Sequence, residues 1–204
     1  MAETIVSICA GIGLAAACGF RVFVPLLVLS IAATLDVIPL ASDFAWLATM
    51  PALIALATAT IMEITAYYVP WLDHALDVIA TPAAMVAGVV TTAAVLPDLS
   101  PVIRWALAIV GGGGVAGAVQ GATVLVRLKS GVATAGVGNP LVSTGETVSS
   151  TVTSVLAVVV PIIAFLVVLA TIAMLIVLAR RALASSREDA SDAPREGTAG
   201  RRDR

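Results

Sequence analysis

The sequence predicts an all-α membrane protein: a polytopic transmembrane bundle of five or six segments. Three observations carry that prediction. Hydrophobic residues make up 60% of the 204 residues and charged ones only 12%, whereas a soluble domain sits nearer half apolar and a quarter charged. With a mean hydropathy of +1.07, there is too little polar surface to coat a water-soluble sphere. The apolar stretches are continuous rather than alternating, which favours helices over a barrel. Charge is also segregated along the chain. Residues 1–179 carry four basic side chains (Arg21, Arg104, Arg127, Lys129) and eight acidic ones, while the last 25 residues alone hold seven basic and five acidic ones. This composition excludes a cytosolic enzyme domain and a wholly disordered chain, and a net charge of −2 excludes a nucleic-acid partner.

Two regions follow. Residues 1–179 form the membrane domain. Residues 180–204, rich in Ser, Ala, Pro, Gly and mixed charge, read as a disordered tail. Crossing a bilayer takes about 20 helical residues, and five stretches are that long: 4–34, 45–69, 75–96, 101–126 and 147–179. The first has a polar break at Gly19-Phe20-Arg21 and the last contains Pro161, so either reads as one tilted span or as broken, re-entrant half-helices.

Local chemistry sets the boundaries. Asp36, Pro39 and Asp43 mark a loop, and Pro70 ends the second stretch. Thr81-Pro82 and Ser100-Pro101 each read as an N-cap followed by proline in the first turn. Ser143 with Glu146 three residues on fits a capping box. Trp46, Trp71 and Trp105 fall at segment ends, where indoles sit at headgroup level. Arg180 and Arg181 favour a cytoplasmic tail, and Arg127 and Lys129 favour the cytoplasm for the loop they occupy. Both assignments hold only with a re-entrant element between them, or with an intramembrane role for Arg127 and Lys129. Cys9 and Cys18 would lie roughly 13 Å apart along one helix, too far for a disulfide, and read as small packing residues. The N-terminus lacks the basic region of a cleavable signal.

Small residues spaced by four at Gly11, Ala15 and Gly19 recur at Gly113, Gly117 and Gly121, a faint internal repeat. Such faces let helix backbones approach closely, within one chain or between copies in a homo-oligomer. Gly112, Gly114 and Gly117 fit a dinucleotide fingerprint literally, but no strand precedes them.

Charges inside apolar stretches are the candidate functional residues. A charge at the bilayer centre costs about 3 kcal/mol on insertion scales, so it is expected to face the interior and pair. Arg21 and Glu63, opposite in sign, are expected to neutralise each other, as a gate, as a substrate or proton site, or as a structural ion pair. Tyr67 lies one turn after Glu63, on its face. Asp73, His74 and Asp77 could relay protons or hold a divalent cation, though they are too few to close a metal site. Asn139 through Glu146 is a polar island followed by Ser149, Ser150, Thr151, Thr153 and Ser154. At membrane depth it would be a broken-helix site, and at the surface a loop and cap. No catalytic residue, resident metal or cofactor is expected: one histidine and two cysteines give no nucleophile–base pair of recognisable spacing.

The segments GFRVFVPLL (19–27), YYVPWLDHALD (67–77) and GNPLVSTGE (138–146) resemble, in order, the bacterial integral-membrane family catalogued as domain of unknown function 4126 (DUF4126), over roughly residues 4–180. The resemblance implies a membrane location and brings no activity. The expected function is a small transporter or channel in a bacterial cytoplasmic membrane. Arg21, Glu63, Tyr67, Asp73, Asp77, Asn139 and Glu146 would line a polar pathway for a small solute or ion. The alternatives are a non-transporting scaffold that packs through its glycine faces, and an intramembrane metal-dependent enzyme built on Asp73, His74 and Asp77.

Overall fold

A computed structural model describes residues 2–97, 99–134, 138–174 and 177, and over 70–78 it describes the backbone alone. All regular structure among the described residues is helical. The chain divides into two units, Met1–Leu169 and Ala170–Arg204. Of the second, only 170–174 and 177 are described, and these are helical. The expected disordered tail, 180–204, lies outside the described residues.

Helix α1, Ala2–Cys18, ends at the polar break, where the amides of Phe20 and Arg21 both donate to the Ala17 carbonyl at 3.1 Å. Helix α2, Phe23–Thr34, resumes after Val22. The break is tied to packing: a Cβ on Gly19 would stand 2.5 Å from Val119 Cβ and 2.7 Å from the Ala116 carbonyl. After α2 the chain turns through Asp36, which adopts a left-handed φ of 54° that aspartate tolerates better than most residues. A 3-10 helix, Ser42–Ala48, then leads at a 68° bend into α3, Met50–Ala66. Thr49 caps α3 by accepting from the Ala52 amide, with Pro51 in the first turn.

Helix α4, Pro70–Ala94, starts earlier than the sequence suggests. Thr81-Pro82 does not begin a helix; Pro82 is carried inside α4. Helix α5, Pro101–Thr134, does begin at the Ser100-Pro101 signal and runs 34 residues, with a π-helical turn over Ala108–Gly113. It continues through Arg127 and Lys129, which are therefore helical rather than loop residues. Helix α6, Asn139–Val159, begins four residues ahead of Ser143, so Ser143 and Glu146 form no capping box. Pro140 occupies its first turn instead. The chain breaks at Val160 before α7, Pro161–Met174.

Helix α1 lies against α4, α5 and α6, and α4 packs closely on α5. The α4–α5 contact is backbone to backbone: a Cβ on Gly112 would meet the Gly88 carbonyl at 2.4 Å. Thr92 Oγ1 donates to the Gly11 carbonyl at 3.1 Å, joining α4 to α1. Of the small residues spaced by four, Gly11 faces Thr92, Ala15 is fully buried, and Gly113 and Gly117 face Val89 and Met85 of α4. A Cβ on Gly121 would meet nothing within 4 Å. Cys9 and Cys18 are free thiols buried in α1.

Among the described residues one helix, α5, is long and apolar enough to cross a membrane, and the bent pair of the 3-10 helix and α3 makes a second if it is one span. By helix length and composition the described residues thus hold one or two candidate spans, where the apolar stretches suggest five or six. Two of those stretches are divided, at Gly19–Val22 and at Val160, leaving pieces such as Ala2–Cys18 and Phe23–Thr34.

The glycine contacts are directly testable. Gly112→Ala drives a methyl into the Gly88 carbonyl and is expected to destabilise the fold by about 1–3 kcal/mol. Gly121→Ala meets open space and is expected to be neutral or stabilising by up to about 1 kcal/mol. Thermal unfolding of the two purified variants in one detergent checks the contrast.

Candidate functional site

The break between α1 and α2 puts Arg21 at the centre of a polar cluster. Its side chain is 1% exposed. Nη2 donates to the Ser143 carbonyl at 2.9 Å and to Ser143 Oγ at 2.5 Å, and Nε donates to Thr147 Oγ1 at 3.1 Å. Ser143, Glu146, Ser150 and Ser154 recur at helical spacing and form the buried stripe of α6. Ser150 Oγ donates to the Ala17 carbonyl at 2.9 Å, holding α6 against the broken end of α1. Of the expected polar run on α6, Ser150 and Ser154 are therefore buried, while Thr151 is exposed.

Arg127, buried on α5, forms a bidentate pair with Glu146. Nε donates to Oε1 at 2.8 Å and Nη2 to Oε2. Glu146 Oε2 is also 3.6 Å from Arg21 Nη2. One carboxylate thus serves two guanidinium groups. Both lie over the ring of Tyr67, 4.1 Å (Arg21) and 4.0 Å (Arg127) from its centroid. Tyr67 is 6% exposed, so these cation–π contacts are shielded from water, where such contacts are strongest.

Glu63 makes no direct ion pair with Arg21. The expected Arg21–Glu63 ion pair gives way to Arg21–Glu146, because the Glu63 carboxylate is engaged by backbone. Its Oε1 accepts from the Val22 amide at 2.7 Å and its Oε2 from the Phe23 amide at 3.0 Å. These are donors that the start of α2 leaves without helical partners, at the positive end of its dipole. Broken helix and carboxylate are therefore complementary: the break exposes amides, and α3 supplies their acceptor.

The remaining candidates fall elsewhere. Asn139 starts α6 and is half-buried. Asp73, His74 and Asp77 lie in the first turns of α4, and their side chains are outside the described residues. Among the described residues no group of three or more His, Cys, Asp or Glu could hold a metal ion. Trp46 and Trp105 are partly exposed, and Trp105 lies beside Phe44, with ring centroids 6.1 Å apart. Arg104, next to Trp105, pairs with Asp43 at 2.5 Å and pins the 3-10 helix to the start of α5.

The family described as a domain of unknown function (DUF4126) matches residues 8–181. The chain belongs to that family. The DUF4126 match takes in the whole cluster, from the α1–α2 break to the buried stripe of α6. No curated protein and no solved structure gives a significant match.

Removing one member of a buried ion pair costs about 3–5 kcal/mol, because the other is left uncompensated. Glu146→Ala removes the carboxylate that both guanidinium groups contact and is expected to cost that much. Arg127→Met leaves Glu146 to Arg21 and is expected to cost less. Thermal unfolding of both variants gives the order; the reverse order would show that the carboxylate is not shared.

Proposed function

We propose that this chain is a multi-pass integral membrane protein of the bacterial cytoplasmic membrane that moves a small anion through the Arg21 cluster. The observation that carries the proposal is Arg21 Nη1, which is buried and has no hydrogen-bond partner. A guanidinium donor left unsatisfied in the interior costs free energy that a bound anion recovers. The surroundings agree: two guanidinium groups meet at one carboxylate beside the hydroxyls of Ser143 and Thr147.

The multi-pass reading rests on chain composition and on the outer faces of the helices. Large exposed side chains include Ile61, Met62, Val86, Val110, Leu128 and Leu166 on four different helices. In water such a surface would drive aggregation; in lipid it is the solvated face. Helices α1 and α2 are individually too short to span a core of about 30 Å. In this reading they cross it together as half-helices meeting at Arg21, the arrangement transporters use to place ion sites at mid-membrane.

Liposomes containing the purified protein test the proposal. Efflux of chloride and of formate is expected above that of empty vesicles. Arg21→Gln keeps part of the hydrogen bonding and removes the charge; it is expected to lower efflux at least tenfold while the protein remains folded by circular dichroism. Absence of efflux for both anions from folded wild-type protein would overturn it.

A further inference from the structure

A pocket of about 410 Å³ opens beside the cluster, between the start of α2, the second half of α3 and the part of α4 from Ile79 to Ala83. Its wall is almost wholly apolar, with Phe23, Met62, Ile79 and Ala83 among the lining residues, and Glu63 and Tyr67 supply its polar edge. Met62 and Ile79 are each 65% exposed, so the pocket opens onto the apolar outer face of the helices. A pocket of this size accommodates a small-molecule ligand.

We infer that this pocket binds a lipophilic cation, an apolar body carrying one ammonium group, with the ammonium on the Glu63 carboxylate. Among the described residues of the wall, Glu63 is the charged group. Each of its oxygens accepts one backbone N–H, from Val22 or Phe23. A carboxylate has about four lone-pair sites, so acceptor capacity remains for a ligand donor. Because α2 holds it in place, little side-chain freedom is lost on binding. The guanidinium groups of Arg21 and Arg127, which would favour an anion, stand over the Tyr67 ring and are not part of this wall. An anionic head in the pocket would therefore meet Glu63 first. The site shares Tyr67 with the Arg21 cluster, but its charged contact is Glu63, and it does not depend on the proposed anion path.

Three probes with one apolar body separate the possibilities: 1-naphthylmethylamine, 1-naphthylmethanol and 1-naphthylacetate, cationic, neutral and anionic at neutral pH. Binding to full-length protein in nanodiscs is read by calorimetry against empty nanodiscs, with no flux required. The amine is expected to bind saturably and at least tenfold more tightly than the alcohol, with no saturable binding of the acid. Glu63→Gln retains an acceptor for the α2 amides and is expected to bring the amine down to the affinity of the alcohol. Ala83→Phe fills the pocket without touching Glu63 and is expected to abolish binding of both. The inference is overturned if the acid binds as tightly as the amine, if no probe binds saturably, or if amine binding survives both substitutions. Should the liposomes show no anion efflux, these binding outcomes keep their meaning.

Discussion

Two guanidinium groups cannot be taken out of water without a counter-charge, and the fold supplies one in Glu146. That requirement orders much of the structure. Glu146 must stand on the inward stripe of α6, Arg127 must face it from α5, and the α1–α2 break must bring Arg21 within reach. Tyr67, at the end of α3, fills the space the three leave with a ring whose face suits cations. Arg21 and Arg127 thus meet on one carboxylate, with the Tyr67 ring against both. The coupling is strict, because a displaced member leaves a buried charge rather than a lost contact.

The cluster is possible only because the helices around it come unusually close. Gly88 and Gly112 bring α4 and α5 to backbone contact, and Gly19 does the same for α1 and α5. Without a Cβ at these positions, dispersion and carbonyl contacts replace side-chain interdigitation. Thr92 and Ser150 add hydrogen bonds to carbonyls of α1. The apolar packing and the polar centre are therefore built by the same crossings.

The sequence made the helical class legible, because long apolar stretches with few charges have one physical solution. It also located the break at Arg21, since an isolated charge beside Gly19-Phe20 interrupts an otherwise apolar run. Glu63 stood out for the same reason, Tyr67 by its place one turn after Glu63, and Glu146 as part of a polar island, yet their pairing did not. Opposite signs suggested Arg21 with Glu63, but a broken helix exposes amides that compete for a carboxylate, and those amides exist only in three dimensions. Arg127 read as a loop charge because it follows an apolar stretch; the continuation of α5 to Thr134 makes it internal. The capping-box reading of Ser143 and Glu146 failed because Pro140 starts α6 earlier, which turns both side chains from end caps into interior groups. Thr81-Pro82 misled in the same way: proline in a first turn and proline carried within a helix look alike without coordinates.

The π-helical turn at Ala108–Gly113 sets the phase of everything after it. Such a turn accommodates one more residue than an α-turn, and one residue is about 100° of rotation. The glycine run there tolerates the wider turn and the close α4 contact together. The extra residue sets Arg127 back by about that angle relative to an unbroken α-helix, and in that phase it faces Glu146. The glycines of this segment thus act as a vernier, aligning a charge some four turns away with its partner while touching neither.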